Sequence, residues 1–499
     1  MALHAWPAHS ASSILGEPTR KHAPSKVEME VHIDGHHQFK IYTTASSVTG
    51  HVVVKTSQDI NLKEIRINLL GNCKTRVDTV NLPQSTAKIF LNLTMPVPES
   101  CYPESRCYKA GVTYAIPFHF IIPRHLTLNA CHHYVSSDSV REDHLRLPPS
   151  VGDWVKGDFA PQMTRIRYSV LAKAYYEHPD GKDTKAAEAS RDIKVIPITP
   201  EKAPLNITAQ DKLYTMAKSK SLRKSILSPR LGTVTVSASQ PRSVMMDIDG
   251  HSTTPTTAHL DLVFVPASVE SQPPRIIGVA SKVTAVSYYS ANKICQYPNH
   301  REWDRTFGIE GAGSYSSSVP LPVAPVESAA WEQHLTTQPR RDSGYHSGHQ
   351  SESDHAVTDR ETLPPGQKRS HKGAPYYYAT KVRVPIEIPA AKKQFIPTFH
   401  SCNASRVYVL LMAVTLSTLA GKTLTISVGV PLQIGVGSRG GPRADATGLP
   451  TFEAAMEEND TAAGLEVDAY LRSRTMSVPD IEFHSVLPGY SSSRNRPAP

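Results

Sequence analysis

The feature that most constrains the fold is a series of short segments in which apolar and polar residues alternate. Residues 63–71 read KEIRINLLG, so Ile65, Ile67 and Leu69 share one side of an extended chain. Half-buried strands show this alternation because successive side chains point to opposite faces of a sheet. Similar segments begin near residues 47, 87, 113, 165 and 191, with turn-rich spacers between them. The pattern predicts an all-β fold, with these segments forming a β-sandwich.

A second series of such segments runs between residues 231 and 436 and predicts a second sandwich. The chain has 499 residues, which fits two domains once tails are subtracted. Hydrophobic residues make up 39% of the chain, so a sizeable part is expected to stay outside the cores. We therefore predict two β-sandwich domains, at residues 26–200 and 231–436.

The segments around the sandwiches have the composition of disordered chain. Residues 291–373 are rich in Ser, Pro, His and charge, and predict a disordered insert within the second sandwich. Residues 1–25 and 437–499 are predicted as disordered tails. The first of these tails has no apolar core typical of a signal peptide.

Several strand-like segments carry phrases found, in the same order, in one protein family. They are VTGHVVV at 48–54, IRINLLG at 65–71, YAIPFHFIIP at 114–123, LPPS at 147–150, YSVLA at 168–172, FIPTFHSC at 395–402 and VPLQI at 430–434. In this order and spacing they resemble the arrestin family, in particular the fungal α-arrestin type.

The resemblance implies two tandem immunoglobulin-like (arrestin-type) β-sandwiches that act by binding, with no catalytic residues and no cofactor. Members of the family bring a HECT-type ubiquitin ligase to membrane transporters or receptors, which are then internalised. We therefore expect a cytoplasmic adaptor that is recruited to the plasma membrane or endosomes. Its sandwiches are expected to bind the cytosolic tails of these membrane proteins.

A short motif near the carboxyl terminus fits ligase recruitment. Leu487, Pro488 and Tyr490 form L-P-x-Y within the predicted tail. WW domains hold a short polyproline II segment in aromatic grooves and seat a tyrosine in a second pocket. We predict that these three residues bind a WW domain of the ligase. The alternative is a tail segment without a partner.

The predicted insert contains a candidate phosphorylation motif, D-S-G-x-x-S. Ser343 and Ser347 are its serines, and Arg340 and Arg341 place the first in a setting that basophilic kinases favour. Two phosphates here would resemble a phosphodegron, since each adds charge and acceptor oxygens that an arginine cluster binds. The alternative is a serine-rich loop that matches by accident.

Residues 201–230 predict a basic linker between the sandwiches. Two or three helical turns are expected before Pro229. Its cluster of cations could bind an anionic membrane surface, at about 1 kcal/mol per residue near the headgroups. Phosphates on its serines would cancel that charge, and the alternative is a solvated connector. The cations are Lys218, Lys220, Arg223, Lys224 and Arg230, and the candidate phosphosites are Ser221, Ser225 and Ser228.

The sequence gives no sign of an enzyme, a cofactor site or a metal site. G-x-G-x-x-G at 435–440 is followed by Pro442 and not by the helix that a dinucleotide site needs. The conceivable metal ligands are Cys101, Cys107, Cys131, His132 and His133. Their spacing contains no C-x₂₋₄-C knuckle, which structural zinc sites usually have. We expect these residues to lie in a disordered or surface loop with free thiols.

Two other functions remain open from the sequence. One is an arrestin-like signalling scaffold below a pH- or nutrient-sensing receptor, without ligase recruitment. The other, more remote, is a β-sandwich regulator that binds DNA. Its only support is the net charge of +9, from 54 basic and 45 acidic residues, which is mild for this length. We expect no nucleic-acid partner.

Overall fold

The computed structural model describes residues 26–78, 82–177, 183–208, 211–223, 228–248, 250, 256–298, 311–322, 330–335, 375–418 and 421–437. Contacts divide the chain into two units, Met1–Arg439 and Gly440–Pro499. The second unit lies wholly outside the described residues, as do residues 1–25. The predictions for the two tails therefore stay predictions.

The first sandwich is formed by two antiparallel sheets. Its strands are β1 (Val27–Ile33), β2 (Ile41–Tyr42), β3 (Ser47–Thr56), β4 (Ile60–Asn61), β5 (Glu64–Val77), β6 (Gln84–Met95), β7 (Cys107–Tyr108), β8 (Thr113–Ile121), β9 (Thr164–Glu177) and β10 (Asp183–Val195). One sheet has the order β1-β3-β8 and the other β2-β10-β9-β5-β6, in which only β2 and β10 pair in parallel. Strands β4 and β7 form a separate short ribbon.

The second sandwich has the same two-sheet architecture. Its strands are β11 (Ala217–Arg223), β12 (Arg230–Ala238), β13 (Val244–Met246), β14 (Thr256–Pro266), β15 (Arg275–Ser290), β16 (Ala312–Pro320), β17 (Glu332–Leu335), β18 (Tyr376–Ile386), β19 (Phe399–His400), β20 (Ala404–Ser417), β21 (Thr423–Leu432) and β22 (Ile434–Val436). One sheet has the order β11-β12-β14-β18-β17. The other has the order β16-β15-β20-β19, with β21 also paired to β20. Strands β13 and β22 form a parallel ribbon.

The all-β prediction is confirmed, and the alternating segments are the strands. Ile65, Ile67 and Leu69 of β5 are fully buried, while Arg66 and Asn68 between them stay partly exposed. The sequence missed β1 and one helix, α1 (Asp138–Leu145), which lies between β8 and β9. No helix among the described residues is long and apolar enough to cross a membrane.

The predicted linker contains a strand, and the expectation of helical turns before Pro229 is wrong where the chain is described. Strand β11 pairs along its length with β12 at the edge of a sheet. Of its residues only Leu222 is buried, because an edge strand has one open side and tolerates lysine and serine. The apolar alternation that marks inner strands is therefore absent from AKSKSLR.

The prediction of a disordered insert at 291–373 is wrong for the parts that the structure describes. Ala312–Pro320 forms β16 beside β15, and Glu332–Leu335 forms β17 beside β18. Both are edge strands with few buried side chains, so their Ser-rich or polar sequences do not alternate. Residues 299–310, 323–329 and 336–374 lie outside the described residues.

A substitution at Gly50 tests how closely β1, β3 and β8 pack in the first sandwich. It lies in β3 between β1 and β8, where an added Cβ would overlap the carbonyl oxygen of His32. We expect Gly50→Ala to lower the free energy of unfolding by about 1–3 kcal/mol, as overpacking does. Denaturant titration measures this change. Gly278→Ala is the matched control, because its Cβ would meet no atom within 4 Å. Equal effects of the two substitutions would contradict the packing of β3.

Candidate functional site

Where the two sandwiches meet, each inserts apolar side chains into the hydrophobic core of the other. Phe159, from the loop before β9, packs into the core of the second sandwich, with its ring centroid 5.0 Å from that of Phe395. In the opposite direction, Ile396, Phe399 and Ala404 of the second sandwich belong to the core of the first. Neither core is therefore complete without the other sandwich.

Phe159 adopts a left-handed backbone conformation, with φ of 60°. This region costs a bulky L-residue roughly 1–2 kcal/mol, and is occupied only when surrounding contacts fix it. Burial of the ring between the sandwiches is the contact that offsets this cost. The loop around Phe159 is also bonded to the second sandwich, since Gln394 N donates to the Gly157 carbonyl at 3.0 Å.

A buried arginine crosses the same junction. Arg406 of β20 is 1% exposed, and its Nη1 donates to the Asp158 carbonyl oxygen at 2.6 Å. Its Nε donates to the Ser287 hydroxyl on the neighbouring β15 at 2.9 Å. Nη2 has no hydrogen-bond partner in the described part of the chain. The side chain of Arg406 thus joins the loop before β9 to the second sandwich through polar contacts.

Two cysteines and two histidines meet on another side of this junction. Three come from the segment between β8 and β9: Cys131 ends a 3-10 turn, His133 follows it, and His144 lies in the last turn of α1. Cys402 comes from the tight turn between β19 and β20 of the second sandwich. One sulfur or nitrogen atom from each residue lies within 4.8 Å of the other three. We refer to these four residues as the Cys–His cluster.

The shortest distances in the Cys–His cluster involve Cys131. Its Sγ lies 3.4 Å from Nε2 of His133 and 3.5 Å from Nδ1 of His144. Burial lowers the pKa of His144 to about 3 and also lowers the pKa of His133, so both rings are neutral at neutral pH. Burial raises the pKa of the Cys131 thiol to about 11. Neutral imidazoles and thiols in this arrangement can bind a soft or borderline metal ion once the thiols lose their protons.

The backbone around the Cys–His cluster is held by side-chain hydrogen bonds. Arg141 of α1 donates to the Cys131 carbonyl at 2.7 Å, and Lys88 of β6 donates to the Ala130 carbonyl at 2.8 Å. Helix α1 begins after Ser137, whose hydroxyl accepts from Val140 N at 3.4 Å. In the second sandwich, the Cys402 carbonyl accepts from Ile294 N at 2.8 Å. Both halves of the cluster thus have fixed backbones.

The expectation of a disordered or surface loop is wrong for Cys131, whereas His132 is exposed, His133 lies in a partly exposed bend and the thiols are free. Cys131 is buried in a 3-10 turn, and His133 lies beside it, whereas Cys101 and Cys107 lie outside the cluster. Sequence analysis missed His144 and Cys402 because no short motif contains them. Cys131 and Cys402 lie 271 positions apart in the sequence. The C-x-H spacing of Cys131 and His133 was the only local signal.

The basic cluster predicted at the linker is split between two sides of β11. Lys218 and Lys220 lie on the side of buried Leu222, and Lys220 Nζ donates to the Thr425 carbonyl of β21 at 2.8 Å. Arg223 lies at the other side, directly opposite Arg230 on β12. These cations therefore do not form one continuous face.

Of the remaining predicted site residues, the structure places two serines. Ser221 is exposed on β11, and Ser228 lies just before β12. The other predicted residues lie outside the described part of the chain, namely Lys224, Ser225, Ser343, Ser347, Leu487, Pro488 and Tyr490. Their assignments stay predictions.

The chain was also compared with known proteins. No protein-family model and no curated protein matches it. Its geometry therefore carries the functional argument.

Arg406 provides a test of the junction. We expect Arg406→Ala to lower the free energy of unfolding by about 1.5–3 kcal/mol, because hydrogen bonds to a charged group are lost in a buried place. Arg383→Ala is the matched control, since Arg383 is exposed on β18 and should change stability by less than about 0.5 kcal/mol. Denaturant unfolding measures both. Equal stability of the two variants would contradict the role of Arg406.

Proposed function

We propose that this protein is an arrestin-like trafficking adaptor. In this proposal the paired sandwiches bind the cytosolic tails of membrane transporters or receptors, and the carboxyl-terminal L-P-x-Y motif recruits a HECT-type ubiquitin ligase. Ubiquitination and endocytosis of the bound membrane protein follow. The observation that carries the proposal is a pair of tandem all-β sandwiches in which the arrestin-like phrases coincide with structural elements.

The longest of these phrases coincides with strand β8. In YAIPFHFIIP, the side chains of Ile116, Phe118, Phe120 and Ile122 are buried in the first core, and the residues between them are exposed. Strand β8 closes one edge of the three-stranded sheet, where it pairs with β3. β3 itself carries the phrase VTGHVVV. Two phrases that lie far apart in the sequence therefore pair with each other in one sheet.

The LPPS phrase forms a buried turn against the other sheet. The Tyr168 hydroxyl of β9 donates to the Pro148 carbonyl at 2.5 Å. Ser150 N donates to the Val195 carbonyl at 2.8 Å, and Val195 N donates to the Ser150 hydroxyl at 2.9 Å. The turn thus connects β9 with the end of β10. These hydrogen bonds explain why the LPPS turn needs these residues, and the explanation does not depend on the resemblance to arrestins.

A group of exposed cations on the first sandwich supports binding to acidic peptide segments. Lys74 of β5 lies directly opposite Arg165 of β9, and Arg76 and Arg167 lie on the same outer face. Two carboxylates offset part of this charge: Asp153 lies 2.7 Å from Arg167 and 3.5 Å from Arg165, and Asp78 lies 2.9 Å from Arg76. Like charges opposite each other on a sheet are destabilising, so an acidic or phosphorylated tail bound there would relieve the repulsion.

Tyr490 tests ligase recruitment. A peptide of residues 484–494 should bind tandem WW domains in the micromolar range, about −8 kcal/mol. We expect Tyr490→Ala to weaken binding about 30-fold or more, because a buried aromatic side chain commonly carries about 2 kcal/mol or more of binding. Peptide titration and ubiquitination of the full chain measure the effect. Tyr470→Ala, in the same tail but outside the motif, is the matched control.

Undiminished ubiquitination of the Tyr490→Ala chain would contradict ligase recruitment through this motif. Such a result, together with retained binding to membrane proteins, would favour a signalling scaffold that works without the ligase. Salt-sensitive binding to DNA would instead favour the DNA-binding regulator.

Charge reversal tests the proposed binding face. The double substitution Lys74→Glu/Arg165→Glu should weaken binding of acidic cytosolic tails about tenfold at low salt, because exposed ion pairs of about 0.2–1 kcal/mol each become repulsive. The difference should shrink as salt rises. Lys381→Glu/Arg383→Glu, on exposed positions of β18, is the matched control. Equal binding by both double variants would show that the cytosolic tail of the membrane protein does not bind the face that carries Lys74 and Arg165.

A further inference from the structure

We propose that Cys131, His133, His144 and Cys402 bind one Zn²⁺ ion, which links the two sandwiches. The four residues are the donor set of many structural zinc sites, with two thiolates and two imidazoles. Their donor atoms already lie within 4.8 Å of one another. The inference goes beyond the proposed adaptor function and does not depend on it.

Two distances within the Cys–His cluster match an edge of a zinc tetrahedron. Zn–S bonds of about 2.3 Å and Zn–N bonds of about 2.0–2.1 Å give a sulfur–nitrogen edge of about 3.6 Å in a tetrahedral site. The observed distances from Cys131 Sγ are 3.4 Å to His133 Nε2 and 3.5 Å to His144 Nδ1. Tetrahedral coordination by two sulfurs and two nitrogens favours zinc over the harder cations, which prefer oxygen ligands.

The hydrogen bond of His133 prepares its ligating nitrogen. Nδ1 of His133 donates to the Tyr134 carbonyl oxygen at 2.8 Å. The proton therefore stays on Nδ1, and the lone pair of Nε2 faces Cys131. Metal-binding histidines are usually held in this way, because the second ring nitrogen fixes the tautomer and the orientation of the ring.

The charges balance when zinc binds. The two thiols lose their protons to solvent, and the two thiolates cancel the charge of Zn²⁺, so the buried site is neutral. Arg141 and Lys88 act electrostatically on Cys131 in favour of its thiolate form, against the larger opposing effect of burial.

The position of the cluster gives the ion a structural role. Three ligands come from the segment between β8 and β9 in the first sandwich, and Cys402 comes from the second. Around them Val135 and Val140 form a small apolar group with Cys131 and Cys402, separate from both large cores. Zinc would thus fix a part of the junction where few apolar side chains pack.

Metal analysis of the full chain tests the proposal. After dialysis against metal-free buffer, mass spectrometry of the elements should find one zinc per chain. Cys402→Ser and His133→Ala should lower zinc content at least tenfold. His132→Ala and Cys295→Ser are matched controls that should keep it. His132 is next to a ligand but donates from Nδ1 to the Asn129 carbonyl, and the Cys295 thiol lies outside the cluster.

Two measurements on the unsubstituted chain keep the test decisive if a variant fails to fold. Co²⁺ in place of zinc should give the intense visible bands of tetrahedral cobalt and a thiolate charge-transfer band. A chelator should lower the Tm and expose Cys131 and Cys402 to alkylation. Absence of stoichiometric metal, equal metal content in His132→Ala and His133→Ala, or a disulfide between Cys131 and Cys402 in the freshly purified chain would overturn the proposal.

Discussion

Phe159 passes from the first sandwich into the core of the second, and Phe399 passes in the opposite direction. This exchange fixes the distance and angle between the sandwiches, because each ring fills space that the other core leaves open. The left-handed φ of Phe159 shows that the local chain conformation follows from the junction and not from its own preference. The polar contacts of Arg406 with Asp158 and Ser287 depend on the same arrangement.

A fixed junction is what brings the Cys–His cluster together. The turn that carries Cys402 is a hairpin corner of the second sandwich, and α1 is a short helix on the first. Neither element could hold four ligands alone. The proposed adaptor also needs a fixed junction, since two sandwiches with one relative position can present a continuous surface to a membrane protein. Binding and metal ligation would then use one rigid body.

The sequence predicted the inner strands well because burial on one face imposes alternation, as in Ile65, Ile67 and Leu69. It missed β11 and β16, whose serines and lysines lie on open sheet edges where burial imposes little. The junction could not be predicted, because Phe159 and Arg406 belong to no periodic pattern. The Cys–His cluster was missed for a different reason: Cys402 joins its partners only after both sandwiches have formed.

Differential scanning calorimetry of the full chain tests most directly whether the junction makes the two sandwiches one unit. We predict a single transition whose calorimetric and van't Hoff enthalpies agree, because neither core is complete without the other. Two resolved transitions, each with the enthalpy of one sandwich, would show that the cores unfold independently. That result would contradict a junction held together by the exchange of Phe159 and Phe399.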